Sequence, residues 1–180
     1  SLNSGFISSA GEAVSRFESL LALQCDTKHA LATTSGTHAL DLLMYALDVQ
    51  PGDEVIVPAL TFISVGATIA RAGGRPVFVD VDKESLNLLP QAVEDAISPA
   101  TKGIIAVHTF GHPCDMNALR KIADHHELFL IEDACEALGA TVHGKPIGGL
   151  GDVAVHSFYA NKMITTGNGG AITTNSDQLS

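Results

Sequence analysis

Apolar residues recur along this chain at two spacings. From Glu12 to Gln24, Val14, Phe17, Leu20 and Leu21 form a helical stripe, and from Thr37 to Leu47, Leu40, Leu43, Met44 and Leu47 share one face. Ile63 to Ala72 predicts a third helix, ended by Gly73-Gly74. Pro90 suits the first turn of a fourth that runs to Ile97, and Asp115 caps a fifth through Asp124. Between the helices lie short apolar runs that predict strands: Ala30 to Thr34, Glu54 to Val57, Pro76 to Val81, Gly103 to Val107 and Leu128 to Ile131. Two more, Val153 to Phe158 and Gly170 to Thr174, follow with Gly-rich turns and no intervening helix.

Runs such as Val77-Phe78-Val79 and Ile104-Ile105-Ala106-Val107 are continuous rather than alternating, which predicts strands buried on both faces, as in a parallel sheet. Strand and helix in turn predict an α/β fold: three layers, α/β/α, around a mostly parallel sheet. No repeat, low-complexity tract or internal domain boundary interrupts it.

Composition narrows the function. The chain has 180 residues, 46% hydrophobic and 17% charged, with a formal net charge of −10. That suits a globular domain and argues against bulk-charge binding to nucleic acid or an anionic membrane. A small anionic ligand is still open to it, because a few backbone N–H groups and one lysine hold a phosphate locally. Cys25, Cys114 and Cys135 are too few and too scattered for a disulfide framework, which predicts a reducing, cytoplasmic compartment. No apolar run is long enough to span a bilayer, and Ser1 to Ser9 lacks the pattern of a signal peptide.

Ligands of open α/β sheets sit beyond the carboxyl ends of the strands. Five polar groups follow strands here: Ser35-Gly36-Thr37, Thr61-Phe62, His108, Asp133 with Glu136, and Ser157 with Lys162. Ser35-Gly36-Thr37 is an anion site at a helix start, or simply an N-cap. Asp133 ends a strand, where it could hold a metal, a ribose hydroxyl or a protonated ring nitrogen, or merely cap a helix or join a buried ion pair. Lys162 lies in apolar, Gly-rich surroundings; most lysines are solvated, but a desolvated one is an amine nucleophile. Together the three supply what pyridoxal phosphate needs: a phosphate cup, a carboxylate for the pyridine nitrogen and an amine for the aldehyde. His108 and His112 do not share a helix face, so a metal pair is not expected. Gly148-Gly149-Leu150-Gly151 reads as a loop, not a dinucleotide fingerprint, because no strand precedes it and no helix follows.

The ordered set of motifs resembles the DegT/DnrJ/EryC1/StrS family of fold-type-I, pyridoxal-phosphate-dependent nucleotide-sugar aminotransferases. The resemblance runs over the whole chain. It is carried by Thr34 to Leu40, Pro51 to Pro58, Thr61-Phe62, Val107-His108 with Gly111 and Asp115, Ile131 to Ala137, and Ser157 through Gly170.

The resemblance implies roles. Lys162 matches the lysine that carries the cofactor and acts as general base and acid. Asp133 matches the partner of the ring nitrogen, Glu136 the residue on the phenolic-oxygen side, Gly36 and Thr37 the phosphate-binding backbone, Ser157 a phosphate-binding hydroxyl, and Phe62 the aromatic stacked on the ring. It implies an amino-acid donor, glutamate foremost, a nucleotide-linked keto-deoxy sugar, a homodimer, and a place in cell-surface polysaccharide (lipopolysaccharide) or aminosugar synthesis. Phe158 to Lys162 with Glu136 looks most like the perosamine synthases, which act on a GDP-linked sugar. Two relatives of different chemistry stand beside this reading: sugar dehydratases of the same fold, which have His in place of the lysine, and non-catalytic DegT-like regulatory proteins. Asn168 departs from the family, which has Glu after Thr-Thr-Gly. The resemblance also implies that residues 1–180 are the core of the large cofactor-binding domain, truncated at both ends and without the C-terminal small domain.

Overall fold

The computed structural model describes residues 11–180. The readings made on Ser1 to Ser9 lie outside these residues. Nine strands and five helices follow in order: α1 (Glu12–Cys25), β1 (His29–Thr33), α2 (Gly36–Ala46), β2 (Glu54–Pro58), α3 (Ile63–Arg71), β3 (Arg75–Val79), α4 (Pro90–Ala96), β4 (Thr101–Val107), α5 (Met116–His125), β5 (Phe129–Asp133), β6 (Thr141–Val142), β7 (Lys145–Pro146), β8 (Val153–Ser157) and β9 (Gly170–Thr174). Every expected helix and strand is present, with ends moved by a few residues. The structure adds a short hairpin, β6–β7, where the sequence shows only Gly-rich loop. No helix among the described residues is long and apolar enough to cross a membrane.

Seven strands form one sheet in the order β1-β9-β8-β5-β4-β2-β3. The pairs β2–β3, β2–β4, β4–β5 and β5–β8 are parallel. β9 runs antiparallel between β8 and β1. The cause is the connection: a parallel return needs a crossover, usually a helix, and the segment from Phe158 to Gly169 contains none. That segment carries Lys162.

The sheet is covered on both faces. Leu40, Leu43 and Met44 of α2 and Val65 and Ile69 of α3 pack on Val55, Val57, Ile105, Val107, Ile131, Val153 and Val155. On the other face Val93, Leu119 and Ala123 of α4 and α5 pack on Ile56, Ile104, Ala106 and Leu130. Leu21 and Cys25 of α1 cover Ala171. All five residues of β2 are buried. β3 is a correction. It pairs with β2 alone and forms the sheet edge, so Phe78 is 56% exposed and its ring lies over Gly66 of α3.

Alternation along the strands sorts the polar residues. Successive side chains of a strand point to opposite faces. Val107, Ile131, Val153 and Val155 face α2 and α3, so Asp133 and Ser157, in phase with them, face the same layer at the strand ends. Glu132 and His156, one residue out of phase, face the opposite layer.

Candidate active site

Beyond the carboxyl ends of β4, β5 and β8, against the N-termini of α2 and α3, lies a cavity of about 560 Å³. Its wall contains Gly36, Thr37, Phe62, Asp133, Glu136, Ser157 and Lys162, all seven of the residues singled out for a cofactor.

α2 is capped by Ser35, whose Oγ accepts from His38 N at 3.1 Å. The cap reading of Ser35 is therefore right, and it leaves the N–H groups of Gly36 and Thr37 without a hydrogen bond among the described residues. Those two donors, at the positive end of a helix dipole, could hold an anion in the cavity. Two close approaches hold them in place. A Cβ on Gly36 would lie 3.0 Å from Cys135 Sγ and 3.2 Å from Ser157 Cβ. A Cβ on Gly170, at the start of β9, would lie 2.3 Å from Ser35 C and 2.5 Å from Gly36 N.

Asp133 is only 6% exposed. Its Oδ1 accepts from Cys135 N at 3.1 Å, and its Oδ2 has no hydrogen bond among the described residues. Burial raises the carboxyl's pKa above its ordinary value. A charged carboxylate here calls for a cationic partner from the cavity side. Cys135 lies beside it, partly buried, and burial first, then the neighbouring Asp133, push its thiol well up, so it is not a reactive thiolate.

Lys162 sits in a loop closed by the backbone of Phe158, whose N–H donates to Gly169 O at 2.9 Å and whose carbonyl accepts from Thr166 N at 3.0 Å. Lys162 Nζ lies 3.4 Å from Glu136 Oε1, with the lysine side chain 20% exposed. Glu136 Oε2 accepts from Phe110 N at 3.0 Å. Phe110 is held at φ 51°, a left-handed conformation uncommon for a bulky residue, so Glu136 ties a strained turn to the lysine loop. Phe62, the N-cap residue of α3, is 70% exposed at the cavity edge, free to lie flat against a ligand.

His108 does not join this site. It is fully buried on the opposite face, its Nε2 3.2 Å from Glu132 Oε2, and its Nδ1 accepts from Cys114 N at 3.1 Å. With Nδ1 an acceptor, the proton sits on Nε2 and is donated to Glu132. Both ring nitrogens are engaged, so a pair with His112 is not available to a metal. Glu132 also accepts from the N–H groups of Gly148, Leu150 and Gly151 at 2.6–2.9 Å. Burial alone would raise its carboxyl, but the hydrogen bond from His108 and then the backbone donors hold it below the ordinary range. The Gly-rich loop is thus a nest for an internal carboxylate.

Sequence reasoning missed Thr109, Phe110, Tyr159 and Asn161, which also line the cavity. Thr109 and Phe110 follow a strand end, and that position was the available signal. Tyr159 and Asn161 were visible only as neighbours of the lysine.

The family model of the DegT/DnrJ/EryC1/StrS aminotransferases matches residues 1–180. The GDP-perosamine synthase of Caulobacter vibrioides is 47% identical over 178 residues, 99% of this chain and 48% of the relative. The crystal structure of DesI in the presence of its TDP-sugar product superposes with a TM-score of 0.93 at 40% identity, over 99% of this chain and 45% of that one. A Streptococcus pneumoniae protein solved in its PLP-form superposes at 0.90 with 31% identity, over 95% of this chain and 47% of that one. The chain spans about half the length of the curated relatives it matches. The fold is that of these aminotransferases, the match runs from the first residue to the last, and the chain belongs to the DegT/DnrJ/EryC1/StrS aminotransferase family.

Proposed function

We propose that the protein is a pyridoxal-phosphate-dependent aminotransferase that moves an amino group from an amino acid, glutamate foremost, to a keto carbon of a nucleotide-linked deoxy sugar. The observation that carries this reading is the convergence of a lysine amine, a buried carboxylate with a free oxygen and two unpaired helix N–H groups on one cavity. The residues present fit the cofactor: a buried carboxylate that lacks a cation suits a protonated ring nitrogen, and the α2 N-terminus suits a phosphate.

On this reading the N–H groups of Gly36 and Thr37 and the Ser157 hydroxyl hold the phosphate. Phe62 covers one face of the ring. Asp133 Oδ2 takes the ring N–H as a charge-assisted hydrogen bond in a site shielded from water. The bound cofactor supplies an electron sink for the pair left on carbon when a proton departs. Lys162 Nζ would hold the cofactor's aldehyde and, as a free amine, would take that proton from one carbon and return it to another. Glu136 Oε1 holds the lysine amine against the cavity meanwhile. A lysine at position 162 favours amino transfer over dehydration.

The substrate is a GDP-linked keto sugar of the perosamine type, supported by the likeness to the Caulobacter synthase. Cell-surface polysaccharide synthesis in the cytoplasm follows from that assignment. Residues 1–180 form the core of the large cofactor domain, and the protein works as a homodimer. Exposed Phe62, Ile63, Phe110, Tyr159, Met163 and Ile164 around the cavity support a partner subunit there.

An absorbance spectrum of the purified full-length protein, before and after glutamate, tests the reading. A visible cofactor band that converts to the pyridoxamine form is expected. A protein that takes up no pyridoxal phosphate, or whose band ignores every amino donor, refutes it.

A further inference from the structure

Among the buried side-chain oxygens that find no hydrogen-bond partner in the described residues are the hydroxyls of Thr61 and Thr109, and both residues line the cavity. Thr109 is the more constrained of the two. It is 6% exposed, its N–H donates to Asn87 Oδ1 at 3.0 Å, and its carbonyl accepts from His112 N at 3.0 Å. Asn87 is itself buried and donates from Nδ2 to His112 O at 2.8 Å. The backbone of Thr109 is therefore satisfied on both sides and fixed from outside the cavity. Only its hydroxyl is left over, and a buried hydroxyl without a partner is destabilising.

The surroundings identify the missing partner. Val107 lies beside Asp133 in the sheet and Phe110 N donates to Glu136, so along the chain Thr109 lies between a residue paired with one carboxylate and a residue bonded to the other. Both oxygens of Glu136 already accept, one from Phe110 N and one from Lys162 Nζ. Asp133 Oδ1 accepts from Cys135 N. This end of the cavity is rich in acceptors and poor in donors. A ligand oxygen placed there, above all an anionic one, needs a donor, and ionised Glu136 has no proton to give.

We propose that the Thr109 hydroxyl is a ligand-binding group: it donates a hydrogen bond to the ring oxygen of the cofactor, the one beside the aldehyde carbon. This rests on the cofactor reading above. The proposal requires the hydroxyl to turn to the cavity, and a χ1 rotation is open to threonine because two of its rotamers are close in energy. The bond favours the ionised form of the ring oxygen, so it lowers the pH at which the cofactor's visible band titrates.

The test uses the full-length protein with Thr109→Val, which keeps the shape and removes the hydroxyl, and Thr109→Ser, which keeps the hydroxyl. Three quantities are measured: the thermal midpoint without cofactor, the dissociation constant for added pyridoxal phosphate, and the pH titration of the visible band. The valine variant is expected to melt no lower than wild type without cofactor. It should bind the cofactor about 10- to 100-fold more weakly, the range for a hydrogen bond to a charged group, with its band titrating at higher pH. The serine variant should bind and titrate like wild type. Unchanged affinity and titration in the valine variant overturn the assignment. So does a lowered midpoint without cofactor, which means that the hydroxyl serves the fold, and so does a serine variant as weak as valine. A wild-type protein that binds no pyridoxal phosphate refutes the cofactor reading itself, a result distinct from all three.

Discussion

Gly170→Ala should damage the cavity from behind, through the backbone. A Cβ at position 170 would sit 2.3 Å from Ser35 C and 2.5 Å from Ser35 O and Gly36 N. Ordinary van der Waals contact begins near 3.4 Å, so the shortfall is about 1.1 Å. All three atoms are main chain and cannot turn aside as a side-chain tip can. Either β9 retreats, at the expense of its pairing with β1 and β8, or the start of α2 does. Overpacking of this kind costs about 1–3 kcal/mol. Function should suffer more than stability, because the displaced atoms include the Gly36 N–H proposed to hold the phosphate. A misplacement of about 1 Å in such a group is worth on the order of a hundredfold in rate. Gly36→Ala is the internal comparison. Its Cβ meets Cys135 Sγ and Ser157 Cβ at 3.0 and 3.2 Å, side-chain atoms that need give only a few tenths of an ångström. Denaturant unfolding and cofactor titration of both variants in the full-length protein should rank Gly170→Ala as the more damaging on each scale. Wild-type stability and affinity in Gly170→Ala would refute the reasoning.

Borohydride reduction of the cofactor-loaded protein, followed by peptide mass analysis, should place the pyridoxyl group on Lys162; an adduct on Lys121 or Lys145 sinks the site. Asp133→Asn should leave folding near wild type, since burial disfavours the charge it removes, yet lower turnover a hundredfold or more, on the order of 3 kcal/mol in the barrier; near-normal turnover would mean that Asp133 only supports structure. Burial pushes His156 down to about 4, so its neutral form is the native one, and stability is lost as pH falls from the free-histidine range near 6.5 toward 4. His156→Gln should therefore recover about 2–3 kcal/mol of the loss that wild type suffers between pH 7.5 and 4.5, measured by denaturant midpoints; parallel pH profiles would contradict it.

The layout of the sheet was legible where the hydrophobic pattern had one physical cause. Ile104 to Val107 of β4 reads as a doubly covered strand and is so. Val77-Phe78-Val79 reads the same way and is not, because an edge position depends on which strands pair, and no property of the run itself reveals that. The antiparallel direction of β9 was hidden for a related reason. The missing crossover helix before it was visible, but whether the chain doubles back beside β8 or leaves the sheet depends on contacts distant in sequence, among them the close approach of Gly170 to Ser35 and Gly36.

The sequence singled out seven residues that line one cavity, missed Thr109, Phe110, Tyr159 and Asn161 beside them, and placed His108 there wrongly. Asp133 and His108 both stand at strand ends, and sequence reasoning placed both at the cavity. Asp133 shares the phase of Ile131 and faces α2. His108 is one step past Val107 and therefore turns to the opposite layer, where it meets Glu132, which is out of phase with Asp133 in the same way. Two adjacent carboxylates in Glu132-Asp133 are thereby given opposite fates. Glu132 has its charge met inside the protein by His108 and three backbone N–H groups. Asp133 has one oxygen met and the other left to the cavity. Burial pushes both carboxyl pKa values up; the donors around Glu132 outweigh it and those around Asp133 do not, so two neighbouring residues become a satisfied charge and an unsatisfied one. An unsatisfied buried charge demands a cation from outside, and that demand is what a protonated heterocycle answers.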